Sequence, residues 1–122
     1  PDICFWGNEK ADAFDDETML HPAPDFVVEI LSKSTKHHDR TTKYEDYALH
    51  GVREYWIIDP VKQCVEQFAL LTPTDKTYLP YGKFFPGDFI KSIVLPDFEI
   101  PVAAIFDEKA NFETLKKLMA GE

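Results

Sequence analysis

The sequence contains no apolar run near the ~20 residues that a membrane-crossing helix needs, so none is expected. Cysteine is sparse, with Cys4 and Cys64 the only two. Two thiols make neither a disulfide framework nor a zinc site. Both sit in apolar, strand-like runs and read as reduced core thiols of a cytoplasmic protein. Internal repeats and low-complexity tracts are also missing, which excludes repeat arrays and leaves an ordinary globular chain. Positive charge is in deficit: 13 Lys plus Arg face 22 Asp plus Glu, for a net charge of −9. That balance argues against loose binding to nucleic acid, which needs phosphates to be neutralised. It does not exclude a nuclease, because charge can be local. Between Ser32 and Arg53 five basic residues (Lys33, Lys36, Arg40, Lys43, Arg53) outnumber three acidic ones (Asp39, Glu45, Asp46). This segment is where a phosphate is best accommodated.

Apolar residues make up 44% of the chain and aromatics 14%, which rules out global disorder. Its 122 residues fit one domain, 1–122, with enough chain to bury a core. The chain opens Pro1-Asp2 without a methionine, directly on an apolar run, and is expected to be a fragment or processed product.

Pro1 to Trp6 reads as a short strand stopped by Gly7-Asn8, and residues 7–24 as a polar loop. Asp25 to Leu31 is almost wholly apolar, as befits a strand covered on both faces. Ser34-Thr35 can cap a helix that runs over 36–50 and stops at Gly51. On it Arg40, Lys43 and Tyr47 share one stripe. Glu54 to Asp59 is a second buried strand ended by Pro60, with Gln63 to Leu71 as its hairpin partner. Short strands follow near Thr77–Tyr81 and Asp88–Val94. Ile100 to Phe106 is apolar but interrupted by Pro101, and Asn111 to Met119 patterns as an amphipathic helix. This order predicts an α/β domain with a mixed sheet.

Two carboxylates, Asp25 and Glu29, interrupt the first buried strand. A period of two puts both on one face, about 13–14 Å apart. Glu29 is the sharper anomaly: a buried, ionised carboxylate needs a partner or it protonates. The cation is either Lys43, from the next helix, or a divalent metal. An ion pair serving only the fold is the plain reading, but such pairs stabilise weakly compared with apolar packing. Asp2, heading the preceding strand, approaches Glu29 if the two strands are neighbours. An acidic pair with a lysine is what metal-assisted phosphodiester hydrolysis requires: hard oxygen ligands hold Mg²⁺ or Mn²⁺, and the lysine orients water or adds charge at the phosphate.

The run Pro24-Asp25-Phe26-Val27-Val28-Glu29-Ile30-Leu31-Ser32 is followed by Thr35, Asp39, Lys43 and Tyr47, then by Gly51-Val52 and Glu54-Tyr55-Trp56-Ile57-Ile58-Asp59-Pro60. In that order these residues resemble the Uma-type endonuclease family, formerly a domain of unknown function and abundant in cyanobacteria. The family belongs to the PD-(D/E)XK restriction-endonuclease-like superfamily. The resemblance spans residues 24–60, with Pro1-Asp2 similar to an earlier motif. It implies a restriction-endonuclease-like mixed central sheet flanked by helices, here short of an N-terminal helix and strand. It also implies metal-dependent cleavage of DNA by a homodimer. By motif position Asp2 matches the aspartate of the "PD" element and Glu29 the acid of the (D/E)XK element. Leu31 stands where lysine is expected, and Lys43 is the natural substitute. Asp25 is an alternative metal ligand, and the choice between Asp2 and Asp25 stays open.

Tyr47 either contacts substrate phosphate or packs on the sheet. Lys33, Lys36 and Arg40 either hold the nucleic-acid backbone or form a solvated face. Asp39 either orients Lys43 or forms a solvated pair with it. His37-His38 reads as an exposed loop, Tyr55-Trp56 as mainly core, and Asp59-Pro60 as a strand end. Two functions compete: an Mg²⁺- or Mn²⁺-dependent endonuclease, and an inactive endonuclease-fold domain that pairs with itself or another protein.

Overall fold

Alternating side chains in two central strands set the layers of the molecule. The computed structural model describes residues 2–7, 23–32 and 40–107. Its elements are β1 (Ile3–Phe5), β2 (Phe26–Ile30), α1 (Thr42–Leu49), β3 (Glu54–Asp59), β4 (Cys64–Ala69), β5 (Leu79–Phe84), β6 (Phe89–Lys91), β7 (Glu99–Pro101) and α2 (Val102–Phe106). Strands β1 to β5 form one sheet in chain order. Strands β2 and β3 run parallel, and their neighbours are antiparallel. The mixed α/β sheet expected from the sequence is therefore present. A second, two-stranded sheet joins β6 to β7.

A parallel pair needs a crossover, and α1 supplies it. Both faces of β2 and β3 are covered, which explains their nearly unbroken apolar sequence. Val27, Tyr55, Ile57 and Phe68 pack on the α1 side with Ala48. Phe26, Val28, Trp56, Ile58 and Val65 face the other way, against Ile90 of β6 and Val102 of α2. Helix α1 ends in a Schellman arrangement. The Val52 N–H bonds the Tyr47 carbonyl at 3.0 Å, and the Gly51 N–H bonds that of Ala48 at 3.2 Å. Gly51 has φ +79° there, a conformation that costs glycine nothing.

Several boundaries differ from the sequence reading. Described helix begins near residue 40, and the Ser34-Thr35 cap lies outside the described residues, as does the helix expected over Asn111–Met119. Strand β5 starts later than expected, at Leu79, and Tyr78 before it is buried, its hydroxyl donating to the Val52 carbonyl at 2.7 Å. Pro101 does not merely interrupt an apolar run: it closes β7 and is the N-cap of α2. Proline lacks the ladder donor, but its fixed φ suits a helix entrance. Cys64 is buried, Cys4 half-buried, and both are free thiols. Burial raises the pKa of each, in keeping with packing rather than reactivity. Among the described residues no helix is long and apolar enough to cross a membrane.

Sequence reasoning missed one residue that organises the fold. Glu54 opens β3 with no exposure at all. Its Oε2 accepts from Trp56 Nε1 at 2.7 Å and Gln67 Nε2 at 2.8 Å. Its Oε1 accepts from Ser92 Oγ at 2.7 Å and from the Ile93 and Val94 N–H groups at 3.0 Å. These donors let a carboxylate be buried, and they fasten the turn after β6 onto the sheet. The only signal in the sequence was an acid at the head of a strand that is otherwise almost wholly apolar.

Candidate active site

The period of two in β2 sends Val27 and Glu29 to the face that α1 covers. Glu29 lies beside Ile57 of β3 in the parallel register, and its side chain is only 3% exposed. Helix α1 brings its partners. Lys43 and Tyr47 are four residues apart, hence one above the other on one helical face. Lys43 Nζ donates to Glu29 Oε2 at 3.1 Å, and Tyr47 Oη donates to Glu29 Oε1 at 2.7 Å. The Tyr47 ring meets Tyr55 edge-on at 5.2 Å between centroids, which fixes the hydroxyl. Lys43 is different, with its side chain 34% exposed. One oxygen of the carboxylate is thus held from the packed interior, and the other from the solvent side.

Arg40, on the same stripe, does not reach Glu29. Its Nη2 donates to Glu66 Oε1 on β4 at 2.5 Å. Glu66 pairs in register with Ile57, so one strand separates the two acids. The hydrogen bond it donates to Glu66 raises the pKa of the guanidinium, which stays charged.

The structure separates the two aspartates. Asp2 leads into β1 opposite the end of β2: its N–H bonds the Val28 carbonyl at 3.1 Å, and its Oδ2 accepts from the Ile30 N–H at 2.6 Å. These two contacts bracket Glu29. Asp25 stands before β2, where its Oδ2 accepts from the Gly7 N–H at 2.6 Å. Four residues of strand separate it from Glu29, about 13 Å of rise, too far for one ion to bridge. Only Asp2 shares the Glu29 end of the strand. Among the described residues no three His, Cys, Asp or Glu side chains are grouped closely enough to hold a metal. Lys33, Lys36, Asp39 and His37-His38 lie outside the described residues.

Other candidates take structural places. Tyr55 and Trp56 are both buried. Asp59 closes β3, its Oδ1 accepting from the Val61 and Lys62 N–H groups at 3.0 Å.

The described residues thus form a mixed sheet whose parallel strands are joined by one helical crossover, with Glu29 and Lys43 paired near the carboxyl end of β2. Residues 1–103 match the Uma2 family, described as "Putative restriction endonuclease", and the chain belongs to that family. It is also similar to the crystal structure of a "putative nuclease belonging to DUF820 from Anabaena variabilis ATCC 29413". That likeness has a TM-score of 0.53 and 24% identity, and covers 69% of this chain. It covers 44% of the other, so this chain spans less than half the length of that protein. At this identity the likeness shows a shared fold. No curated protein matches the chain.

Proposed function

We propose that this domain is the core of a metal-dependent endonuclease that hydrolyses phosphodiester bonds in DNA. The observation that carries this reading is Glu29: a carboxylate 3% exposed inside the sheet, met by the Lys43 ammonium at the carboxyl end of β2. In open α/β sheets that end is where ligands bind. Buried ion pairs contribute little stability compared with apolar packing, so a role in chemistry explains the pair better than a role in folding.

Glu29 and Asp2 offer hard oxygen donors at one end of β2. Such a set suits Mg²⁺ or Mn²⁺, which is commonly held by one or two carboxylates, with water and substrate phosphate completing the shell. When bound, the ion supplies charge neutralisation at the phosphate and a lowered pKa for an attacking water. Lys43 brings its positive charge to the phosphate or orients the water. Tyr47 holds Glu29 Oε1 and so fixes the carboxylate plane. Arg40, with Lys33 and Lys36, contacts the DNA backbone without reading sequence. Asp25, at the far end of the strand, is left to the fold.

Calorimetric titration with Mn²⁺ tests the site. Binding is expected in the wild type and lost in Glu29→Ala; binding that survives the substitution unchanged contradicts the assignment.

A catalytically silent interaction domain is the second reading. It is favoured by the way Lys43 and Tyr47 already satisfy both Glu29 oxygens, and by the net charge of −9.

A further inference from the structure

We infer that the Lys43 ammonium and the catalytic cation compete for the same oxygen of Glu29, so that Lys43 is a resident counter-ion displaced when metal binds. This rests on the metal-dependent reading above and adds an order of events to it.

The two Glu29 oxygens are held unequally. Oε1 accepts from Tyr47 at 2.7 Å, and that hydroxyl is anchored by the ring contact with Tyr55 on the packed side. Oε2 accepts from Lys43 at the longer distance of 3.1 Å. Glu29 is 3% exposed and Lys43 34%, so Oε2 is the oxygen whose partner reaches solvent. An arriving cation therefore reaches Oε2 first, and two cations do not share one carboxylate oxygen without repulsion. Lysine suits a temporary partner. Its charge is a compact point on a flexible stem, and partly exposed pairs of this kind break at small cost. Before metal arrives the ammonium pairs with the buried carboxylate and keeps the site assembled. Afterwards it is released from Oε2 but stays beside Glu29, close to where a phosphate would come to lie. Tyr47 keeps Glu29 in place through the exchange.

The test is Mn²⁺ titration by calorimetry at pH 8 of the folded wild type, Lys43→Met, Lys43→Arg and Glu29→Gln, together with acetylation of Lys43 in the wild type, read by mass spectrometry. Lys43→Met is expected to bind Mn²⁺ about two- to fivefold more tightly than wild type, the size of a lost partly exposed ion pair, and Lys43→Arg no more tightly. Saturating Mg²⁺ is expected to speed acetylation of Lys43 in the wild type. If Glu29→Gln abolishes binding but Lys43→Met binds no more tightly, competition is overturned and the metal site stands. If wild type binds no Mn²⁺, the metal-dependent reading falls and this inference with it. Should Lys43→Met fail to fold, the acetylation rate decides: a rate indifferent to Mg²⁺ overturns the proposal.

Discussion

The Tyr47 hydroxyl lies 2.7 Å from Glu29 Oε1, binding the second turn of α1 to the centre of the sheet. A buried carboxylate that loses one of its donors is left under-satisfied, at a cost of about 1–3 kcal/mol. Tyr47→Phe keeps the ring packing against Tyr55 and removes only the donor. It is expected to lower stability by about that amount in urea unfolding, with an unchanged denaturant slope.

Glu54 has more to lose. Five donors converge on it with no exposure to water. Glu54→Ala strands them and opens a cavity, and a loss above ~3 kcal/mol is expected. Hydrogen exchange locates the damage: the Ile93 and Val94 amides lose protection before those of β2 do.

The Arg40–Glu66 bridge is partly exposed, with side chains 32% and 19% exposed. Its coupling energy in a double-mutant cycle is expected to be at most about 1 kcal/mol and to shrink with salt. A pair that weak leaves Arg40 available to a phosphate. Arg40→Ala is accordingly expected to weaken DNA binding with little change in melting temperature, measured by fluorescence anisotropy beside thermal unfolding.

Burial pushes the Tyr78 phenol above its ordinary value of 10.0. The folded state therefore holds that proton more tightly than the unfolded chain. Its contribution is fully present below about pH 10 and is lost as pH rises above it. Melting curves between pH 9 and 11 should show the wild type losing stability more steeply than Tyr78→Phe.

Local pattern told most about the sheet and least about its partners. The apolar runs at Phe26–Ile30 and Glu54–Asp59 and the helical stripe between them were legible because each is decided by neighbouring residues. Seeing which aspartate lies beside the Glu29 end of β2 needed the antiparallel pairing of β1 with β2, a contact across more than twenty residues of chain. The Glu54 donors come from as far as 40 residues away, and the Arg40–Glu66 bond spans 26. No periodicity carries such distances. Pro101 misled for another reason: its role as a helix entrance depends on β7 ending there, which is a tertiary fact.

Nicking of supercoiled plasmid DNA by the full-length protein, with Mg²⁺ or Mn²⁺, tests the central claim most directly. Conversion to the open-circular form is expected for wild type, and its loss for both Glu29→Gln and Lys43→Ala with the fold intact. Nicking that persists undiminished in a folded Glu29→Gln variant contradicts the account.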